Sequence, residues 1–326
     1  MNARATGRVP VIFIDPGTIP GAEPAPATQA LRVVDAGELL ALQIPAREVW
    51  LAPWLTSQSL SMLYGWRGVG KTFVSLGIAY ALASGGSLFG WATSQPRRVL
   101  FIDGEMPAAA LQERLARLTE SSPREAAPGA LRFLTPDLQR HRMPSLCSPD
   151  GQRAIAEVIA DAEVIIIDNI ATLARGGREN EAESWQPVAG WALEQRSAGR
   201  SVLFVHHSGK SGAQRGTSAR EDVLDTVIAL RRPSDYEPAQ GARFEVHFEK
   251  ARGLVGDAAD PFEAALHVDP HGRQQWQCKP ITATRSDRIL ELKELGLSQS
   301  EIAAELGVNR STVCRALKQA GSVQHD

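Results

Sequence analysis

The run from Gly65 to Thr72 constrains the fold of this chain more than any other feature, because it matches the phosphate-loop pattern G-x-x-x-x-G-K-[ST]. Such a loop points backbone N–H groups at nucleotide phosphates, its lysine (Lys71) reaches the β- and γ-phosphates, and its hydroxyl residue (Thr72) binds Mg²⁺. An apolar run at 60–64 precedes the loop and a helical pattern at 72–83 follows it, as the motif requires. The sequence therefore predicts an ATP or GTP site. The candidate nucleotide-binding residues are Gly65, Trp66, Arg67, Gly68, Val69, Gly70, Lys71, Thr72 and Phe73.

Length and charge limit what else the chain can be. Its 326 residues are enough for one large α/β domain and a small second one. A net charge of −2 gives no overall attraction to nucleic acid, so any DNA contact must come from local basic patches. The scattered Cys147, Cys278 and Cys314 show neither metal-ligand nor disulfide spacing, which is typical of a reducing compartment. The N-terminus lacks a basic flank followed by an apolar core, and no apolar run approaches the roughly 18 residues of a membrane span, so we expect no signal peptide and a cytoplasmic protein.

From Leu60 onward, apolar strands alternate with helical segments, which predicts an α/β fold with a mostly parallel sheet covered on both faces. The later strands follow one another with little helix between them, so the far edge of the sheet is expected to be antiparallel. The predicted strands are 60–64, 98–103, 131–134, 163–168, 201–206, 224–230, 243–250 and 262–268, and the predicted helices are 72–83, 107–119, 150–160 and 184–198. The expected domains are a flexible lead at 1–30, an ATPase domain at 31–275, a linker at 276–284 and a helical domain at 285–326.

Two of the predicted strands lead into carboxylates that can serve hydrolysis. The strand at 163–168 ends in Asp168, the usual position of the acid that orients Mg²⁺ and its water in nucleotide hydrolases. Asn169 follows it, so another carboxylate must activate the attacking water, and Glu105, just beyond a second apolar strand, is the candidate general base. Asp103 is the weaker candidate, because strand alternation predicts that it points to the opposite face. The alternatives are an aspartate that only caps a strand end and a surface acid in a turn.

Two further strand ends carry side chains that can act on phosphate. The strand at 201–206 leads into His206 and His207, and a polar residue at this edge can hydrogen-bond the γ-phosphate or its water. Adjacent strand residues face opposite sides, so we expect one histidine to sense phosphate and the other to be structural, rather than a shared metal site. Lys250 and Arg252 lie two residues apart at the end of another strand. The alternative for this pair is a solvated basic strand end.

These motifs, in this order, resemble the RepA-like branch of the RecA-fold ATPases, which includes the plasmid-type hexameric replicative helicases. The resemblance covers about residues 40–260. By this resemblance, Glu105 occupies the position of the catalytic glutamate in the RecA-like class, at the end of the strand beside the nucleotide loop. The matching segments are 65–72, 102–105, 165–168, 205–210, 215–219 and 250–252.

The resemblance implies a RecA-like core that binds ATP and Mg²⁺ and assembles into a homo-oligomer, with a hexamer favoured. Lys250 and Arg252 would then reach the γ-phosphate bound by a neighbouring subunit. The segment 209–218 would line a central channel and contact single-stranded DNA, with Lys210 and Arg215 as its charged contacts. This segment has no aromatic residue on which a base can stack.

Residues 286–319 predict a helix-turn-helix module. Ser298 and Glu301 form a capping box that opens the second helix, and Asn309 precedes the third. The outer face of the third helix offers a mixture of side chains suited to base edges and phosphates. The candidate DNA contacts are Arg310, Ser311, Thr312, Arg315 and Lys318. The module resembles the helix-turn-helix of resolvases and many bacterial regulators, and the alternative is a trihelical packing module without DNA contact.

Two functions are compatible with these patterns. The first is an ATP-driven DNA motor, a helicase or single-stranded DNA translocase in replication or plasmid maintenance, with the tail tethering it to duplex DNA. The second is a DNA-bound ATP switch in regulation or segregation, in which hydrolysis only resets assembly. The loop start Gly65-Trp66-Arg67 lacks the extra lysine of one segregation class, which favours the motor. A small-molecule kinase is poorly supported, because no lid or acceptor-binding motif is recognisable.

Overall fold

The computed structural model describes residues 31–174, 182–208 and 222–323. The strands in these residues are β1 (Val49–Leu51), β2 (Leu55–Thr56), β3 (Leu60–Gly65), β4 (Ser87–Leu88), β5 (Trp91–Ala92), β6 (Val99–Asp103), β7 (Leu131–Leu134), β8 (Val164–Asp168), β9 (Ser201–His207), β10 (Thr226–Arg231), β11 (Arg243–Ala251), β12 (Phe262–Val268) and β13 (Gln274–Pro280). The α-helices are α1 (Ala36–Ala41), α2 (Lys71–Ser84), α3 (Ala108–Ser121), α4 (Pro149–Ile159), α5 (Ile170–Leu173), α6 (Ala182–Ser197), α7 (Ile281–Glu294), α8 (Gln299–Glu305) and α9 (Arg310–Val323).

The chain divides into two compact units, Met1–Ala46 and Arg47–Asp326. The described part of the first unit contains α1, which begins at a capping box. The Asp35 side chain accepts from the Glu38 N–H at 2.8 Å, and the Glu38 carboxylate accepts from the Asp35 N–H at 3.1 Å. None of the residues of α1 is buried.

The second unit is built on a nine-stranded sheet in the order β13-β12-β11-β10-β3-β9-β8-β6-β7. The strands from β10 to β7 in this order run parallel, whereas β11, β12 and β13 join by antiparallel pairing. The predicted α/β fold with a mostly parallel sheet is confirmed, as is the antiparallel far edge. Because β3, β6, β8 and β9 are parallel, their carboxyl ends meet at one edge, where ligands bind in open α/β sheets.

Alternation along the parallel strands separates two apolar layers. Leu63 of β3 packs with α2 on one face, whereas its neighbour Met62 packs on the other face with α4, α5 and α6. Both layers are fully buried, which explains why these strands are continuous apolar runs in the sequence. The helix α2 is buried along nearly its whole length, so the phosphate loop is anchored to the core at both ends.

The segment 276–284, predicted as a linker, is instead the end of strand β13 and the first residues of α7. The strand β13 pairs with β12 over seven residues. Trp276 anchors it, because its ring lies 5.0 Å from the Phe89 ring and 5.3 Å from the Phe244 ring. The strand was not recognised in the sequence because its composition is polar, and it is polar because one of its faces and its outer edge lie outside the core.

The last three helices, α7 to α9, surround a small core of their own. The buried side chains of this core are Ile289, Leu292, Ile302, Ala303 and Val313. The capping box at Ser298 and Glu301 is confirmed, with a Ser298 N–H to Glu301 carboxylate distance of 2.8 Å. In the described residues, none of the helices combines the length and the apolar character needed to cross a bilayer.

Candidate active site

The phosphate loop takes its shape from two glycines at the end of β3. A Cβ on Gly65 would lie 2.6 Å from the Leu230 carbonyl oxygen of the neighbouring strand, so only glycine fits there. Gly70 has φ +118° in the left-handed region, which turns the chain into the first residue of α2. The loop therefore opens directly onto the positive end of a helix, a favourable place for phosphate. Within the loop, the Val69 side chain packs into the core, whereas Trp66 is 46% exposed.

Lys71 is held inside this loop. Its ammonium group donates to the carbonyl oxygens of Gly65 at 2.9 Å and Trp66 at 2.8 Å. Burial lowers its pKa from 10.5 to about 8, and the nearby carboxylates of Asp168 and Glu105 oppose that shift. The lysine thus carries a poorly solvated positive charge at the point where the loop would meet phosphate.

Asp168 lies at the end of β8, deep beneath the loop, and only 4% of it is exposed. The Ser75 hydroxyl donates to its Oδ2 at 2.9 Å, and the Thr72 side chain forms a second hydrogen bond with it. Burial raises the pKa of Asp168, and the two hydroxyls and Lys71 oppose that shift. A carboxylate beside a hydroxyl provides the oxygen ligands that Mg²⁺ prefers, so these residues fit the predicted role.

The prediction that Asp103 points away from the site is wrong. Asp103 is the register partner of Asp168 at the ends of β6 and β8, so both carboxylates lie on the α2 side of the sheet. It is 2% exposed and accepts a hydrogen bond from the Met106 N–H at 2.9 Å. Burial and then the charge of Asp168 raise the pKa of Asp103 from 3.8 to about 6. Period-two alternation in fact gives Asp103 the same face as Phe101, which packs in the α2-side layer, so the alternation rule was misapplied in the prediction.

Three polar side chains meet above Asp168. The Asn169 Nδ2 lies 2.5 Å from Glu105 Oε2 and 3.3 Å from His207 Nε2. The His207 Nε2 to Glu105 Oε2 distance is 3.7 Å. The structure thus brings together the two predicted residues Glu105 and His207, and it adds Asn169, which sequence reasoning considered only as the residue after Asp168.

The two adjacent histidines face opposite sides of the sheet. His206 is fully buried in the layer formed by α4 to α6, on the side of the sheet away from the phosphate loop. His207 borders the site, and its pKa is lowered mainly by burial and then by the positive charge of Lys71. Only His207 is therefore placed to meet a bound phosphate.

Lys71, Asp168, Glu105 and His207 border one cavity of about 430 Å³, a size suited to a small-molecule ligand. Among its walls, Phe73 and Arg114 form a stacked pair, with the guanidinium carbon 4.6 Å from the ring centre. The residues that line the cavity are Arg67, Gly68, Gly70, Lys71, Thr72, Phe73, Asp103, Glu105, Met106, Pro107, Arg114, Asp168, Asn169 and His207. Arg114, Met106 and Pro107 were not predicted, because nothing in their local sequence distinguishes them from ordinary residues in a helix or in the turn before it.

Lys250 and Arg252 lie away from this cavity. Ala251 between them pairs with Thr226 at the start of β10, whereas Leu230 near the end of β10 pairs with Gly65. Four residues of strand, roughly 13 Å, therefore separate the pair from the level of the loop. Both residues belong to the opposite end of the sheet, and they do not reach the site of their own chain.

The predicted DNA contacts fall in two places. Lys210 and Arg215 lie outside the described residues. On α9, Thr312 is half-buried, and the other four candidates, Arg310, Ser311, Arg315 and Lys318, are exposed. This exposed face belongs to the helix that follows the turn of the helix-turn-helix unit.

The phosphate loop, the buried aspartates and the parallel sheet together define a P-loop ATPase. A family described as "AAA domain" matches residues 23–213, which is more than half of the 326 residues, and the chain belongs to this family. A family described as "Homeodomain-like domain" matches residues 288–323. The protein is therefore a P-loop ATPase of the AAA domain family that carries a C-terminal helix-turn-helix domain.

Among solved structures, the chain is similar to a KaiC-like protein from the hyperthermophilic archaeon Pyrococcus horikoshii OT3. The sequence identity is 17% and the TM-score is 0.48, and the match covers 71% of this chain and 94% of that chain. At this identity the likeness concerns the fold alone. No curated protein matches the chain in sequence.

Proposed function

We propose that this protein is an oligomeric, Mg²⁺-dependent ATPase of the RepA-like branch that acts on DNA as a helicase or single-stranded DNA translocase. In this proposal, residues 31–275 are the motor domain and residues 285–326 are a duplex-DNA anchor. The proposal rests mainly on the position of His207, which borders the phosphate cavity and also ends β9. The segment that contains Lys210 and Arg215 begins two residues after His207.

In the proposed hydrolysis step, four side chains of the cavity and the loop amides have defined roles. The loop amides and Lys71 bind the phosphates, and Thr72 and Asp168 would hold Mg²⁺, which stabilises the charge that develops on the phosphate oxygens. The described residues contain no cluster of three or more His, Cys, Asp or Glu side chains placed to bind a metal. Mg²⁺ bound by few protein oxygens and by nucleotide phosphates is consistent with this. Glu105 takes the proton from the attacking water.

Coupling to DNA follows from the connection of β9 to the next segment. A change in the hydrogen bonding of His207 when the γ-phosphate leaves would be transmitted along the backbone through Ser208. If the segment with Lys210 and Arg215 contacts the DNA backbone, that change alters its grip on the strand. Hydrolysis and DNA contact would then be linked within about ten residues of chain.

A head-to-tail ring would use the opposite end of the sheet. Lys250 and Arg252 cannot reach their own phosphate site, but in a heterologous assembly this end of one subunit faces the site end of the next. A cation supplied in trans then stabilises the transition state, as an arginine finger does. This arrangement favours a closed ring, and we propose a hexamer.

The alternative is a DNA-bound ATP switch without unwinding activity. The exposed basic face of α9 favours it in one respect, since duplex binding there needs no translocation. Both candidates hydrolyse ATP and bind duplex DNA, so these two activities do not separate them. The two candidates differ in whether single-stranded DNA stimulates ATP hydrolysis.

The discriminating experiment is steady-state ATP hydrolysis with and without single-stranded DNA, using Lys71→Ala as the blank. The proposal expects strong stimulation of the wild type by single strands, with none in the blank. Slow turnover that is indifferent to single strands would overturn the motor and favour the switch. Omission of Mg²⁺ should reduce turnover to the level of the blank.

A further inference from the structure

Asn169 has a side-chain amide whose orientation is fixed from one side. Its Oδ1 accepts the Thr172 N–H at 3.2 Å, in the way that an N-cap residue holds the first turn of a helix, here α5. A carbonyl oxygen can accept this N–H but the NH₂ group cannot, so the amide cannot be flipped. The Nδ2 group therefore points towards Glu105 and His207.

The NH₂ group has two hydrogens and meets two acceptors. Glu105 Oε2 lies 2.5 Å from Nδ2, and His207 Nε2 lies 3.3 Å from it. Since the amide nitrogen can only donate, a hydrogen bond from it to His207 requires Nε2 to accept, with the histidine proton on Nδ1. One amide thus sets the orientation of the candidate base and the tautomer of the candidate phosphate sensor.

Glu105 needs such support. Its side chain is 62% exposed, and its only other close polar side-chain contact in the described residues is His207 at 3.7 Å. A glutamate so exposed loses rotamer freedom when it is held for reaction, and a misplacement of about 1 Å can cost on the order of 10²-fold in rate. The short contact to Asn169 is therefore the main restraint on the position of the base.

We propose that Asn169 is a positioning residue for ATP hydrolysis, which holds the Glu105 carboxylate in place through Nδ2 and orients His207 through the same group. This inference rests on the proposed role of Glu105 as the general base. A purely structural alternative would assign to Asn169 only the cap of α5. The two roles use different atoms of one side chain, Nδ2 for positioning and Oδ1 for the cap, so they can be separated.

The test uses two substitutions that retain an acceptor for the Thr172 N–H and remove the donor to Glu105. Asn169→Ser supplies a hydroxyl acceptor without charge, and Asn169→Asp has the same shape but puts a carboxylate against Glu105. Ser148→Ala is the matched control, because the Ser148 hydroxyl accepts the Gly151 N–H at 3.1 Å and caps α4 outside the cavity.

We expect Asn169→Ser to lower kcat by about 10- to 100-fold, with a larger loss in Asn169→Asp. KM for ATP should stay within about twofold, since Lys71 and the loop amides are untouched. Ser148→Ala should lower the melting temperature and leave kcat unchanged. Wild-type or increased kcat in Asn169→Ser, or a loss confined to thermal stability as in Ser148→Ala, would overturn the inference.

Glu105→Gln separates this inference from the proposed function. In the Glu105→Gln background, adding Asn169→Ser should lower the residual rate by much less than it does in the wild type, because the positioned group is already gone. Equal losses in both backgrounds would show that Asn169 acts independently of the base and would overturn the inference. Full turnover by Glu105→Gln itself would instead overturn the assignment of the base.

Discussion

The two ends of the central sheet carry lysine and arginine in opposite physical settings. At the carboxyl end of the parallel strands, Lys71 is 7% exposed, is hydrogen-bonded to two carbonyl oxygens and has its pKa lowered to about 8. At the other end, Arg252 is exposed, and its guanidinium donates to the Asp222 carbonyl at 3.2 Å. The first cation is buried among carboxylates and helix dipoles, and the second faces solvent.

This difference indicates how each end can act. A buried, poorly solvated cation interacts strongly with a phosphate that replaces its lost hydration, so it serves within its own chain. An exposed cation is screened by water and salt, and it gains comparable strength only when another surface covers it. The site end is therefore largely formed in one chain, whereas the cations of the opposite end could act on a phosphate only in the proposed assembly, where a second subunit would cover them.

The largest expected effect is at the buried cation. Lys71→Ala should lower ATP turnover by 10³-fold or more, because phosphate charge then develops without the loop lysine. Lys293→Ala on α7 removes the same formal charge from an exposed position and should leave turnover unchanged. Phosphate release at saturating ATP measures both. Comparable turnover in Lys71→Ala and the wild type would remove the assignment of the site.

The next effect tests the exposed end in an assembly. If the subunits of the proposed ring fire in sequence, Arg252→Ala subunits mixed with wild-type subunits should inhibit turnover out of proportion to their share, because a site without this cation, worth on the order of 10³ in rate, also stalls its neighbours. Turnover is measured across mixing ratios at constant total protein. Strictly proportional loss would remove the claim of a coordinated finger in trans, and an absence of any loss would show that Arg252 has no part in turnover.

The sequence predicted most of the site end because its signals are local. The phosphate loop needs glycines at fixed spacing, as Gly65 and Gly70 show, and the apolar strand before Asp168 marks where the strand stops. Asp103 was misplaced because the alternation rule was misapplied, since it lies two residues from Phe101 and shares its face on the α2 side of the sheet. Asn169 was overlooked as a functional residue because its two acceptors are distant in sequence, Glu105 after β6 and His207 at the end of β9.

The sheet edge and the helical tail show the same limit. Strand β13 is polar and partly exposed, so it lacks the apolar alternation that identifies strands. What fixes it is Trp276, whose partners Phe89 and Phe244 are distant in sequence. The tail was easier to predict because the capping box at Ser298 is complete within four residues.

A smaller effect is expected at the exposed cations of the tail. Arg315→Ala should weaken duplex binding by about 10-fold, at the lower end of the 1–3 kcal/mol typical of a base or phosphate contact, and should reduce the salt dependence. ATP turnover without DNA should not change. Fluorescence anisotropy over a salt series measures binding, with Lys293→Ala as the charge-matched control. Equal weakening by both variants would indicate a general charge effect rather than recognition by α9.

The smallest expected effect concerns the electrostatic cost of the buried site. Asp103 has a folded-state pKa of about 6, above its usual 3.8, because burial and Asp168 disfavour its charge. Its ionisation therefore destabilises the folded protein above about pH 6, and the cost vanishes below about pH 4, where both states are protonated. Asp103→Asn, whose amide oxygen can still accept the Met106 N–H, should raise the free energy of unfolding at pH 7 by roughly 2 kcal/mol.

The pH dependence distinguishes this origin from a general gain in packing. The difference in unfolding free energy between Asp103→Asn and the wild type should open between about pH 4 and pH 6 and stay constant above that range. Urea denaturation at several pH values measures it, and Asp260→Asn, at an exposed carboxyl, is the control. A gain that is independent of pH would mean that ionisation of Asp103 does not lower the free energy of unfolding. The buried charges of the site end would then destabilise the folded protein no more than the exposed charges of the opposite end.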